Sequence, residues 1–385
     1  MIDYIPYHKP FITEDEINEV VDTVKSGWWT MGPKVIRLEK EFNSYIGSKF
    51  SISSSSWTAA AHLALEAIGI KRNDEIIVPS ITFTATAEIA CYFGAKPVIV
   101  DVQKDSFNID PEEIKKAITK KTKAIIPVHY GGNPCDMDEI LEIANSNKLK
   151  VIEDAAHSLP ASYKNKKIGT IGDAACFSFY VTKTLAAGEG GMICTNNEEI
   201  AKRSMIMRLH GINNDSWNRY SKEGSWFYEV VAPGYKYNFN DIQASLALAQ
   251  LKKLDLMCER RMQIYDQYNE GFASNDLVRF QIIKNDRSSA HHLYPILLDI
   301  ENLNISRSGF IEELKFMGIG TSVHFIPLYR HPFYRDKFKL NWKNYPASEF
   351  IYSRIISLPI YPDLSSNQVG RVIDAVNHLT KKFRK

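Results

Sequence analysis

Val151 to Ser158 reads VIEDAAHS, an apolar run that ends in two carboxylates and is followed by small residues and a histidine. Further along, CFSFYVTKTLAAGEGGMI sets Lys183 in a polar turn between an apolar run and a glycine-rich segment, with Ser178 five residues before it. Alone, the first run is strand-end punctuation, and the lysine is a solvated loop residue as most lysines are. Together, Asp154 and Lys183 supply the pair that pyridoxal phosphate requires. That cofactor needs an amine for its Schiff base and a carboxylate against its pyridinium nitrogen to keep the ring an electron sink.

A phosphate needs its own seat, and SSSSWTAAAHLALEAIG is a serine-rich turn that opens directly into a helix pattern. A helix N-terminus offers unpaired N–H groups and a positive dipole end, although serine turns also serve as plain caps. Other polar residues argue for less. His129 and His210 lack partners at metal-ligand spacing and read as core or cofactor-side groups, and His291–His292 precedes an apolar strand and reads as structural. No metal site is expected. The five cysteines are odd in number and widely spaced, which fits neither a disulfide framework nor a paired metal motif. Among them Cys135 is the one that reads as a candidate exposed-loop thiol.

The elements that must position these residues alternate along the N-terminal two thirds. A capping box at Thr13 and Glu16 starts a helix whose Ile17, Val20, Val21 and Val24 share a face before Gly27. Strands are predicted at Glu75–Pro79, Pro97–Asp101, Lys123–Val128 and Val151–Asp154. Helices are predicted between them at Thr58–Ile68, Thr86–Phe93, Pro111–Ile118 and Met137–Ser146. Such alternation means βαβ units and a mainly parallel sheet, with ligands beyond the carboxyl ends of the strands. From Asn238 to Tyr268 the chain reads as one long helix. HLYPILLDI, a helix at Ser308–Met317, a strand-like GTSVHF and a last helix near Asn367–Thr380 then make a smaller α+β unit. The expected division is 1–255 and 256–385.

At 385 residues the chain suits two domains, and its 44% hydrophobic and 24% charged composition is that of a globular protein. Forty-seven basic against 45 acidic residues, interspersed, give no argument for nucleic acid or an acidic membrane surface. The first residues lack a basic region followed by an apolar stretch, and no run approaches a membrane span. A cytoplasmic location is expected.

In order, WWTMGP, the serine turn with TAA, PSITFTAT, EDAAH, SFYVTK…GEGG, GYKYNFNDIQA and VHFIPLY resemble the DegT family of sugar-nucleotide aminotransferases. The resemblance spans nearly the whole chain. Its joint order is specific where each motif alone is not, and PGYKYN and IIPVHY lean toward enzymes that aminate C4 of 4-keto nucleotide sugars, UDP-4-amino-4-deoxyarabinose synthases among them. It implies a fold-type-I pyridoxal phosphate transferase with a large α/β domain and a smaller C-terminal one.

Carried over by position, the resemblance makes Lys183 the Schiff-base lysine and Asp154 the pyridinium partner. Phe83 would lie on the cofactor ring, His157 would reach the phenolic oxygen, and Ser178 with Thr58, beside Trp57, would hold the phosphate. Asn238 would reach the phosphate of a neighbouring subunit, making the homodimer's sites shared. Thr30, Glu189, Lys236, His324 and Tyr329 would meet the sugar nucleotide, with Arg208 and Arg219 further candidates for its diphosphate. Trp57, Tyr180, Ala186 and Ala187 depart from the family pattern and bear on the sugar pocket more than on the cofactor. Trp57 reads equally as packing under the turn.

The activity implied is transamination from glutamate, leaving 2-oxoglutarate, to a keto group of a nucleotide-linked sugar for surface-polysaccharide or lipopolysaccharide synthesis. C3 amination, a sugar dehydratase and a non-enzymatic regulator are the alternatives on the same fold. Lys183 speaks against the dehydratase, whose lysine is replaced by histidine. Cysteine desulfurase chemistry would need a cysteine on a mobile loop.

Overall fold

The computed structural model describes residues 4–213 and 227–385. Among the described residues thirteen strands run β1 (Phe50–Ser54), β2 (Glu75–Pro79), β3 (Lys96–Val100), β4 (Thr122–Ile125), β5 (Lys150–Asp154), β6 (Ser162–Tyr163), β7 (Lys166–Lys167), β8 (Ala174–Ser178), β9 (Gly191–Thr195), β10 (Val278–Phe280), β11 (Arg287–Ser288), β12 (Tyr294–Leu298) and β13 (Ile355–Leu358). Seven form the main sheet in the order β1-β9-β8-β5-β4-β2-β3. All of its pairings are parallel except those of β9, which runs antiparallel to both β1 and β8.

Both faces of this sheet are covered, so its strands are buried with little alternation while their side chains still alternate between two cores. Ile77, Val151 and Phe177 point to the side covered by the helices Pro33–Ile46 and Asp241–Lys252, with Leu38, Phe42 and Leu248. Ile76, Val78, Ile152 and Cys176 point to the side covered by the helix Trp57–Ala67. A third core forms where β10, β12 and β13 pack against Tyr268 and Phe272 of the helix Leu254–Phe272 and Val372 and Leu379 of the helix Ser366–Lys382. Leu254 and Met257 of that same Leu254–Phe272 helix lie in the first core, so the helix serves both. Asp101, just beyond β3, accepts the Ala347 and Ser348 N–H groups at 2.8 and 3.0 Å and ties the C-terminal segment to the main sheet.

The predicted N-terminal helix is present as Glu14–Ser26, with its capping box at Thr13 and Gly27 at φ 72° as its stop. Two expectations fail. Asn238–Tyr268 is two helices, because Asn240 caps the first by accepting from Gln243 N–H and the chain turns at Lys253 before entering the third core. GTSVHF forms no strand. Its backbone bonds are split, Gly320 N–H to Ile5 and Ser322 to Ser357, so each side gets a contact and neither a ladder.

Candidate active site

The carboxyl ends of β5 and β8, the Lys183 turn and the start of the Trp57–Ala67 helix enclose a cavity of about 620 Å³. Its geometry follows from strand register. Ser54, Gly191 and Ser178 stand side by side across β1, β9 and β8. A Cβ on Gly191 would lie 2.4 Å from the Ser56 carbonyl, so only glycine lets the serine turn come down onto Ser178. Ser56 caps the helix, its Oγ accepting from Ala59 N–H at 3.0 Å, and leaves the first-turn N–H groups of Trp57 and Thr58 at the cavity. Trp57 is buried and its Nε1–H donates to the Cys176 carbonyl at 2.9 Å, so its indole packs beneath the turn while the residue borders the cavity.

Asp154 ends β5 at the opposite wall. Its Oδ2 accepts from Thr86 Oγ1–H at 2.8 Å and its Oδ1 from Ala156 N–H at 3.1 Å. Burial pushes its carboxyl up to about 6, against the Thr86 and Ala156 hydrogen bonds and the positive charge of Lys183. Glu153, next to it, faces away. It accepts from His129 at 3.0 Å and from Gly172 N–H at 2.8 Å inside the fold, which makes His129 a core residue.

Lys183 sits in a turn closed by bonds from its own N–H to Tyr180 and from Ala187 N–H to Phe179. Burial lowers its ammonium to about 8, offset in part by the Asp154 carboxylate. An amine there is far more often neutral near pH 7 than an exposed lysine, which is what a nucleophile needs.

His157 accepts from Gly131 N–H at 3.3 Å through Nδ1, so its neutral ring carries the proton on Nε2. Burial, then Lys183 and His324, hold its protonation well below the usual range. Phe83 is 59% exposed at the cavity mouth, 6.1 Å from the Phe325 ring. Glu189 and His324 also line the cavity, with His324 Nδ1 2.9 Å from Ser357 Oγ.

Five expected residues lie elsewhere in the chain's own fold. Tyr329 is buried and stacks on Tyr345 at 4.4 Å in the second core, away from the cavity. Thr30 and Lys236 are exposed outside the lining. Asn238 is also outside it, its side-chain amide donating to the Phe239 carbonyl. Arg208 is buried, with Nη1 in an ion pair with Glu39 and donating to the Ser53 carbonyl, and it lies outside the cavity lining. Arg219 lies outside the described residues. His210 is exposed, contrary to a core or cofactor-side placement. His292 lines the cavity and so is not only structural. Cys135 is fully buried, its thiol donating to the Val128 carbonyl, so it is no loop nucleophile.

The residues that sequence reasoning missed are Thr86, Tyr7, His8, Phe325 and His292. Thr86 carried a signal in PSITFTAT. Tyr7 and His8 carried none, because the N-terminal segment reaches the cavity only by pairing Ile5 with Gly318 and Gly320 and by His8 donating to the Val181 carbonyl at 2.9 Å. Among the described residues no cluster of three His, Cys, Asp or Glu is set to hold a metal ion. No helix there is long and apolar enough to cross a membrane.

An amine and a buried carboxylate on one cavity, with a helix start at its edge, on a seven-stranded mainly parallel sheet with a smaller α+β unit, fit a fold-type-I pyridoxal phosphate enzyme. The match to known proteins places it more narrowly: residues 10–377 fit the DegT/DnrJ/EryC1/StrS aminotransferase family, and the chain belongs to it. The spore coat polysaccharide biosynthesis protein SpsC of Bacillus subtilis is 45% identical over 379 residues, 98% of this chain and 97% of that protein. The putative sugar aminotransferase Spr1654 of Streptococcus pneumoniae, in its PMP form, superposes with a TM-score of 0.92 at 34% identity, covering 98% and 99% of the two chains. Helicobacter pylori PseC, an aminotransferase involved in the biosynthesis of pseudoaminic acid, superposes with a TM-score of 0.91 at 28% identity, covering 99% and 100%. The protein is a pyridoxal phosphate-dependent sugar aminotransferase.

Proposed function

We propose that the chain transfers the amino group of glutamate to the C4 keto group of a nucleotide-linked 4-keto sugar, in the synthesis of a surface polysaccharide. The observation that carries this reading is the placement of Lys183 and Asp154 on one cavity with the Trp57–Ala67 helix start at its edge. Pyridoxal phosphate, when bound, supplies an electron sink for the carbanion left when a proton departs from carbon.

The chain's own residues do the rest. Asp154 would hold the ring nitrogen, the Thr58 and Trp57 amides and Ser178 Oγ would seat the phosphate, and His157 Nε2–H would donate to the phenolic oxygen. Phe83 would cover the ring. Lys183 Nζ would take the proton from the donor's α-carbon and later return one to the sugar carbon, general acid–base work worth about 10²–10⁴-fold. Glu189 and His324 stand where the sugar would enter. The test is to load the pyridoxamine form and offer UDP-, dTDP- and GDP-linked 4-keto and 3-keto sugars. Return of the aldehyde absorbance with a 4-keto sugar and not its 3-keto isomer is the expected result, and the reverse preference overturns the C4 assignment.

The reading includes a shared homodimer site, supported by Asn238 lying outside its own chain's cavity although the resemblance gives it a phosphate. Mixing Lys183→Ala with Asn238→Asp chains, each inactive alone, is then expected to restore activity once subunits exchange. One site of the hybrid would hold both native residues. The other would hold both lesions, including a carboxylate repelled by the phosphate. Mixtures that exchange subunits yet stay inactive would place Asn238 in its own chain's site.

A further inference from the structure

His292 lies in the wall of the cavity, 6% exposed, and its ring centroid is 4.4 Å from that of His157 at 41°. The His157 ring also stacks on Phe325 at 5.8 Å and 19°. Two neighbouring rings therefore form a clamp on His157. The clamp is tied to the backbone that sets its tautomer. Gly131 N–H donates to His157 Nδ1, while the Gly131 carbonyl accepts from His292 N–H at 3.0 Å and Leu293 N–H at 3.2 Å, and Gly132 O accepts from Ala290 N–H at 3.1 Å. The fit leaves no slack, since a Cβ on Gly132, at φ +97°, would lie 3.0 Å from the His157 carbonyl and 3.1 Å from Ala290.

A flip of the His157 ring about its Cβ–Cγ bond would turn a carbon toward Gly131 N–H and carry the Nε2 proton away from its place. Neighbouring rings are what oppose that flip, because the 3.3 Å Gly131 bond is long. His292 has a cost of its own, as its Nδ1 is buried with no hydrogen-bond partner. The titratable groups facing the two rings are Lys183, His324 and Arg261, all cationic or neutral. They add to burial in keeping both imidazoles unprotonated, with Tyr130 edge-on to His157 at 6.5 Å.

We propose that His292 is a positioning residue that acts through His157: its ring and the shared Gly131 peptide hold the His157 imidazole with Nε2–H toward the phenolic oxygen of the cofactor. The inference rests on the pyridoxal phosphate site described above.

The experiment titrates the visible absorbance of the reconstituted holoprotein with pH. His292→Ala is expected to move the midpoint by about one pH unit, the size of one weakened hydrogen bond to the titrating group. His292→Phe, which keeps a ring against His157 and removes the unpartnered nitrogen, is expected to restore it. In a His157→Ala background, His292→Ala is expected to add no shift, because the group it positions is gone. A midpoint unchanged in folded His292→Ala holoprotein, or a shift that persists without His157, overturns the proposal. Should the alanine variant not fold, His292→Leu is read in the same two backgrounds. A wild-type protein that takes up no cofactor would instead bring down the site reading itself.

Discussion

Lys183→Ala is expected to bind pyridoxal phosphate without a covalent bond and to lose transamination. Binding survives because the Asp154 carboxylate, Ser178 Oγ and the amides at the start of the Trp57–Ala67 helix do not depend on the amine. Transamination would not survive, because on the proposed function one side chain both anchors the cofactor and moves the proton. Loss of the proton relay alone costs about 10²–10⁴-fold. A borohydride treatment that fixes the cofactor to the wild-type chain should leave the variant unlabelled. Covalent labelling of the variant would mean that another amine has the role. The wild type adds a second reading. With its ammonium lowered to about 8 by burial, covalent uptake of cofactor should accelerate as pH rises through about 8 and level off above it, whereas the variant's uptake should lack that inflection.

The residues whose chemistry depends on short sequence distance were legible. Asp154 at a strand end and Lys183 beyond the next long strand come together because β5 and β8 are neighbours in the sheet, with Asp154 opposite Cys176. The serine turn is legible for the same reason, since a cap and its helix are adjacent in sequence. What could not be read is long-range. Tyr7 enters the cavity because Ile5 bridges to Ile319 more than three hundred residues away, and no local pattern encodes that pairing. His292 precedes an apolar strand, and its approach to His157 depends on two positive-φ glycines in another segment.

The converse errors share one cause. Tyr329 and Arg208 carry functional side-chain types, and the sequence reading weighed chemistry without the core that claims them. A buried tyrosine stacked on Tyr345 fills volume, and a buried guanidinium paired with Glu39 sits outside the cavity. The single long helix expected from Asn238 failed differently. Its composition has no glycine or proline near Lys253, and the turn there serves the passage from one core to another, which is a tertiary demand that overrides propensity.

Asp154→Asn is expected to fold and to lower turnover by about 10- to 150-fold, the cost of losing one charge-assisted hydrogen bond at the ring nitrogen. The chain without cofactor gives an independent readout with a definite sign. Burial raises this carboxyl to about 6 in the fold, while an unfolded chain titrates near 3.9. The folded state therefore holds the proton more tightly. Its contribution to stability is full below about pH 4 and is lost as pH rises through about 6. An asparagine cannot ionise, so the variant should gain on wild type across that interval, by roughly 3 kcal/mol at most. Cofactor reverses the preference in the wild type, because a ring cation against the carboxylate favours the ionised form. Denaturant melts of both chains at pH 4 and pH 7, with and without pyridoxal phosphate, read all of these terms. A variant of full activity whose apo stability tracks wild type at both pH values would strip Asp154 of the role. Glu153 could not inherit it, since that side chain is committed to His129 and Gly172 on the far side of β5.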